Sequence, residues 1–136
     1  MAEEPETYKP LTPDEIERRL LSAAKTQDAA EQQLARLTAD AEKLQARQTR
    51  AEHGVRMAVH AEKDDDGKPR YKNAEQRSDA QDAILTATTD YQGRAKQLTE
   101  NNEIIQRVRL ARDSAYREYQ AMRALIDLRR ATRRDD

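Results

Sequence analysis

An uninterrupted heptad repeat in the first half of the chain restricts its fold more than any other feature. Small or apolar side chains recur in alternating steps of four and three, and no proline occurs between Pro13 and Pro69. This spacing puts them on one side of an α-helix, and that side must be buried against another helix. The pattern predicts a helix over about residues 13 to 63, roughly 70 Å long. Its positions are Ile16, Leu20, Ala23, Gln27, Ala30, Leu34, Leu37, Ala41, Leu44, Gln48, Ala51, Val55 and Ala58.

A similar stripe in the second half of the chain predicts the partner of this helix. It runs through Ala95, Leu98, Asn102, Ile105, Val108, Ala115, Tyr119, Met122 and Ile126, on a helix expected over about residues 90 to 133. We therefore predict an all-α fold, a long antiparallel helical hairpin with a short helix at about 74 to 88 between the long ones. Its main seam residues are Ile16, Leu20, Leu34, Leu37, Leu44, Val55, Leu98, Ile105, Val108, Tyr119, Met122 and Ile126.

The expected helix ends carry recognisable caps. Thr12 and Glu15 flank Pro13 in the pattern of a capping box, and Asn73 with Gln76 predicts the start of the short helix.

Two further boundaries follow from the sequence. Thr89 and Gln92 form another possible capping box, so we expect a break in the helix near residue 89. Residues 1 to 10 contain two of the four prolines and three glutamates, and we expect a disordered arm there. Residues 11 to 136 are then predicted to form a single helical domain.

Composition indicates a small hydrophobic core. Leu, Ile and Val together number nineteen in 136 residues, and there is no Phe or Trp. Since the many seam alanines bury little apolar area, we predict assembly into a bundle, with a homodimer favoured. No apolar run approaches the length of a membrane span and the acidic start is unlike a signal peptide, so we expect a cytoplasmic protein.

The stretch EKDDDGKPRYKN, residues 62 to 73, has the acidic spacing of a calcium loop before Gly67. However, Asn73 occupies the position of the last, bidentate glutamate, and three basic residues, Lys68, Arg70 and Lys72, follow Gly67 in the loop. A turn explains the stretch better, because Asp66 and Gly67 favour a positive φ and Pro69 stops the helix. We therefore predict that it reverses the chain and binds no metal.

Catalytic patterns are absent from the sequence. There is no cysteine, and His53 and His60 are two helical turns apart, about 10 Å, which is too far to share a metal within one helix. The carboxylates fall on exposed helical faces, where they are not desolvated as a catalytic acid or base would be. We expect neither enzymatic activity nor a cofactor.

Charge is distributed unevenly along the chain, from a net charge of -4 over residues 1 to 46 to +4 over residues 94 to 136. Near its C-terminus the last helix carries a stripe of arginines with a tyrosine, which is suited to phosphate pairing and base stacking. The alternative is that these arginines pair with the acidic first helix and lie along its flank. The stripe consists of Arg109, Arg112, Tyr116, Arg123, Arg130 and Arg134.

A set of turn and cap residues carries a family resemblance. It comprises Gly67, Lys68, Pro69, Tyr71, Asn73 and Arg77, followed by an acidic residue before Tyr91 and Gln92. This pattern resembles one in small coiled-coil proteins encoded by bacteriophages and prophages. The resemblance implies an accessory role in phage biology, such as DNA recombination or host takeover, and assigns no site.

The sequence predicts two alternative functions. The first is a non-enzymatic coiled-coil protein that self-associates and binds another protein. The second is a nucleic-acid-binding accessory protein that uses the arginine stripe.

Overall fold

The computed structural model describes residues 9 to 134, and within that range the regular structure is helical. Helix α1 spans Pro13–Ala61, α2 spans Ala74–Ala87 and α3 spans Thr89–Arg134. Helices α1 and α3 pack against each other, so the predicted all-α hairpin with a short intervening helix is confirmed. The starts of α1 and α2 are at the predicted residues, and the other helix ends differ from the predicted ones by one or two residues. Most of the expected N-terminal arm, residues 1 to 8, lies outside the described residues.

The chain divides into two compact units, each with segments of both long helices. Unit 1 contains Met1–Gln33 and Arg107–Asp136, and unit 2 contains Leu34–Gln106. The expectation of a single domain over residues 11 to 136 stays a prediction.

The core of unit 1 is formed where small side chains of α1 meet α3. Ile16, Ala23 and Ala30 from α1 and Ala115 and Met122 from α3 are buried, and Ile16 is only 2% exposed. The predicted seam residues Leu20, Val108, Tyr119 and Ile126 are half-buried. Three of the five buried residues are alanines, so this core buries little apolar area for its length.

In unit 2 the buried residues are Leu34, Gln48, Val59 and Ile105. The remaining predicted seam residues of this unit are half-buried, namely Leu37, Leu44, Val55 and Leu98.

Two predicted seam positions were wrong by one residue. Ala58 is exposed and its neighbour Val59 is buried, while Asn102 is exposed and Asn101 is half-buried. At Ala58 the reason is geometric: a straight α-helix has 3.6 residues per turn, so it drifts by about 20° per heptad from a strict repeat and burial moves to the next residue. Asn101 instead keeps the seven-residue spacing of Val108, Ala115 and Met122.

Side-chain caps begin α1 and α2. The Glu15 amide donates to Thr12 Oγ1 at 3.2 Å, and the Thr12 amide donates to Glu15 Oε2 at 3.0 Å. At α2, Asn73 Oδ1 accepts from the Gln76 amide at 2.8 Å. The capping box at Thr12 and the cap at Asn73 are thus confirmed, and they satisfy amides that have no partner within the helix.

The break between α2 and α3 falls at Thr88, whose φ of -85° and ψ of 109° are extended. Thr88 Oγ1 donates to the Ile84 carbonyl at 2.8 Å, and Gln92 Nε2 donates to the Leu85 carbonyl at 3.3 Å. The expected capping box between Thr89 and Gln92 is therefore wrong. Gln92 is instead a second donor to the Leu85 carbonyl at the end of α2, which also accepts from the Thr88 amide at 3.2 Å.

The stretch between α1 and α2 forms a turn held by the side chain of Asp64. Its Oδ1 accepts from the amides of Asp66 and Lys68, both at 3.0 Å, and Gly67 has a φ of 79°. An antiparallel bridge joins Lys63 and Pro69. Because the Asp64 carboxylate already binds two loop amides, it helps to close the turn.

We predict that Asp64→Ala lowers the free energy of unfolding by about 1 kcal/mol, since two amides lose their acceptor. Asp64→Asn retains an Oδ1 acceptor and should restore most of this stability. Asp66→Ala is the matched control, because the Asp66 carboxylate makes no hydrogen bond within the described residues. Urea denaturation followed by circular dichroism measures all three. Equal losses for Asp64→Ala and Asp66→Ala would contradict the role of Asp64.

Candidate nucleic-acid interface

The predicted arginine stripe lies on the part of α3 that belongs to unit 1. Arg109, Tyr116, Arg123 and Arg130 are exposed, and Arg112 is half-buried. The sixth member of the stripe, Arg134, is the last residue of α3. At about 100° per residue these positions lie on one side of the helix, next to the face that packs on α1.

Most of this stripe is free of ion pairs. Arg112 binds its neighbour Asp113 at 3.1 Å, whereas Arg109, Arg123 and Arg130 make no ion pair within residues 9 to 134. Among the described residues, these three arginines thus make none of the ion pairs with α1 that the alternative expects, while their lying along the flank of the helix pair stays a prediction.

Among the described residues, the ion pair that joins α1 and α3 has its arginine on α1 and its carboxylate on α3. It connects Arg19 of α1 to Glu118 of α3, at 2.6 Å. Both side chains are partly exposed, so the pair contributes little to stability. The acidic residues of α1 thus form no ion pairs with the arginine stripe among the described residues. Arg109, Arg123 and Arg130 are therefore available to bind another anion.

Tyr116 lies within the stripe and is 49% exposed. Its hydroxyl accepts a hydrogen bond from Gln120 Nε2 at 2.9 Å. The bond holds the ring on the helix surface, where an aromatic face can stack on a base or on an arginine.

Basic charge is concentrated in the C-terminal part of α3, whereas unit 1 as a whole is neutral, with thirteen basic and thirteen acidic side chains. Residues 107 to 134 alone hold nine arginines and no lysine. Arginine binds phosphate and carboxylate in a bidentate manner, so this part of α3 favours an anionic ligand.

Two arginines near the stripe were not predicted as part of it. Arg129 donates from Nη2 to the Leu11 carbonyl, next to the start of α1. Arg133 lines a groove of about 310 Å³, whose other lining residues are Pro13, Ile16, Glu17, Leu20, Ile126, Arg129 and Arg130. The basic last turn of the predicted helix is the signal that would have identified both arginines.

In unit 2, a polar network joins α1 to α3. Gln48 is only 3% exposed, and its Nε2 donates to the Tyr91 carbonyl at 3.0 Å. Arg94 Nε donates to Gln48 Oε1 at 2.6 Å, and the Tyr91 hydroxyl donates to Glu52 Oε1 at 2.8 Å. Both the nitrogen and the oxygen of the buried amide thus have a partner, which favours one register of the two helices.

The network raises the pKa of Tyr91 above its ordinary value of 10.0. The main cause is the hydrogen bond to the Glu52 carboxylate, which favours the protonated phenol. Burial and the negative charges of Glu52 and Asp82 act in the same direction, and Arg94 opposes them.

The described residues offer little for metal binding or for crossing a membrane. Within residues 9 to 134, no group of three His, Asp or Glu side chains is arranged to hold a metal ion. His53 and His60 are exposed. None of the described helices has an apolar stretch that would cross a bilayer.

No family model, curated protein or solved structure matches the chain. Its function is therefore inferred from the positions and contacts of its own residues.

We predict that Tyr91→Phe lowers the free energy of unfolding by about 1 kcal/mol at pH 7, because it removes the bond to Glu52. The folded-state pKa is raised, so this contribution is complete below about pH 10 and is lost as pH rises through the folded pKa. Denaturation of parent and variant between pH 7 and 11 measures the difference, which should shrink above pH 10.

Tyr71→Phe is the matched control, since the Tyr71 hydroxyl makes no hydrogen bond within the described residues and its ring is half-buried in the same unit. The same pH-dependent loss in both variants would show that the Glu52 contact is not the cause.

Proposed function

We propose that this protein is a non-enzymatic, helical interaction protein that associates with copies of itself, most simply as a homodimer. The supporting observation is a set of large apolar side chains that unit 1 leaves exposed. Leu21 is 56% exposed, Leu110 is 66% exposed and Leu128 is 64% exposed. A single exposed leucine is ordinary, but Leu110 and Leu128 are 18 residues apart and thus on the same side of α3.

The modest core of unit 1 supports the same proposal. Its alanines allow the helices to approach closely, but each contributes much less buried area than a leucine would. Covering one exposed leucine contributes about 1.5 to 3 kcal/mol. Self-association would therefore supply burial that the separate chain lacks.

We predict a species of twice the chain mass of 15.6 kDa in sedimentation velocity at micromolar concentration. The melting temperature should rise with protein concentration, because association stabilises the folded chain by mass action. A fully helical monomer at about 100 µM, with a melting temperature independent of concentration, would contradict the proposal.

Nucleic-acid binding is the second candidate function, and the exposed arginines without ion pairs favour it. Arg109, Arg123 and Arg130 present guanidinium groups along one side of α3, and Tyr116 lies among them with an accessible ring. Phosphate groups are the ligand that such spacing suits, with base stacking on the tyrosine where the nucleic acid is single-stranded.

Charge reversal tests this second function. Arg123→Glu with Arg130→Glu should weaken binding of single-stranded or duplex DNA by about 10-fold or more at low salt and reduce the slope against log salt by about 2. The matched control is Arg50→Glu with Arg56→Glu, two exposed arginines of α1 in unit 2. Fluorescence anisotropy measures both at several ionic strengths. Equal losses in both variants, or no binding by the parent at low salt, would exclude the stripe as the interface.

The biological setting that we propose is an accessory role in phage biology within the cytoplasm. It is supported by the resemblance of the turn and cap residues to phage coiled-coil proteins, and by the composition of the chain.

A further inference from the structure

Helix α3 carries a second stripe, whose centre lies away from the face that packs on α1. Its members recur in steps of four, three, four, three and four, and all six are exposed. They are Leu110, Ser114, Arg117, Ala121, Ala124 and Leu128. One member, Ser114, is at the edge of the stripe and also lines a groove with Ser22 and Ala23 of α1. At about 100° per residue the stripe lies roughly 120° to 140° around the helix from the buried Ala115 and Met122. The alternation of steps is that of a coiled-coil seam, yet within the described residues nothing covers it.

We propose that this second stripe of α3 is the surface that binds the second copy of the chain, as an antiparallel helix pair. The proposal rests on the self-association proposed above and names the surface responsible for it.

The stripe is self-complementary when two copies run antiparallel about a twofold axis near residue 119. Leu110 of one copy then lies opposite Leu128 of the other, so a leucine pair closes each end of the contact. Between the ends, Ser114 lies opposite Ala124, and these small side chains permit a close approach of the helices. An isologous contact of this kind is the commonest in homodimers.

Arg117, the one charged member of the stripe, is compatible with the antiparallel arrangement. Its Nε donates to the Asp113 carbonyl at 3.3 Å, so the guanidinium lies back along its own helix. In the antiparallel pair Arg117 lies opposite Ala121, which leaves room for the arginine stem. A parallel pair in register would put Arg117 against its own copy, and like charges would oppose that arrangement.

Charges beside the stripe also favour the antiparallel direction. Arg109 and Asp127 are 18 residues apart and so share one side of α3. In the antiparallel pair Arg109 of each copy lies close to Asp127 of the other, which gives two opposite-charge contacts. Asp113 lies on the same flank, where its carboxylate is already bound to Arg112. A parallel pair would set each of these charges against its own copy.

Directed cross-linking tests the direction of the pair, and the chain is suited to it because it contains no cysteine. Leu110→Cys and Leu128→Cys are made as separate proteins, one with a tag so that the mixed dimer is distinguishable by size. Under mild oxidation the mixture should form the mixed disulfide dimer, because positions 110 and 128 face each other. Each variant alone should cross-link poorly, since its two cysteines are about 27 Å apart along the helix. Single variants that cross-link as well as the mixture would overturn the antiparallel arrangement.

Leucine substitution tests the surface itself. Leu110→Gln with Leu128→Gln should raise the dimer dissociation constant at least about 100-fold, because four leucines leave the interface. The matched control, Met57→Gln with Ile84→Gln, removes two exposed apolar side chains of unit 2 and should leave the constant unchanged. Sedimentation equilibrium measures the constant, and circular dichroism verifies that each variant remains helical.

These measurements distinguish the role of the second stripe from self-association in general. A parent protein that is monomeric at about 100 µM would overturn both. A dimeric parent whose dissociation constant is unaffected by Leu110→Gln with Leu128→Gln would overturn the second stripe alone and leave self-association standing.

Discussion

The contact between α1 and α3 at small side chains is the interaction on which the rest of the structure depends. In unit 1, Ala23, Ala30 and Ala115 are buried where α1 meets α3, and such small side chains permit a close approach of two helices. A contact made of alanines buries little apolar surface. Hydrogen bonds therefore also stabilise the helical hairpin, namely those of the capping box at Thr12 and Glu15 and those of the turn closed by Asp64.

Polar contacts specify the register of α1 against α3, which the alanines of the seam do not. Alanine positions along a seam are nearly interchangeable, so a shift of one heptad would cost little at those positions. In unit 2 the buried amide of Gln48 opposes such a shift, because its partners Tyr91 and Arg94 are available in one register only.

In unit 1 the same α3 offers three surfaces, which are the buried face, the arginine stripe and the exposed leucine stripe. In the proposed antiparallel dimer the twofold axis would bring the arginine stripes of both copies to the same side, so the two proposed functions are compatible.

Local chemistry explains which features could be predicted. Proline, asparagine and capping threonine act within a few residues, so the starts of α1 and α2 follow from the sequence. The seam follows from periodicity, except at Ala58, where helical drift moves burial to Val59, and at Asn102, where Asn101 is covered instead. The break at Thr88 involves Gln92 reaching back to α2, a contact that depends on the angle between two helices and not on a capping motif.

The sequence by itself determined the helices, the turn between α1 and α2 and the six positions of the arginine stripe, because these depend on residue spacing and local conformational preference. Only the tertiary structure decided the partners of each polar group. It joined Gln48 to Arg94, paired Arg19 with Glu118, and left Arg109, Arg123 and Arg130 without ion pairs among the described residues. It also decided that Leu110 and Leu128 remain exposed. The physical reason is that periodicity gives the face of a helix on which a residue lies, whereas its contacts depend on the register and rotation of the helix packed beside it.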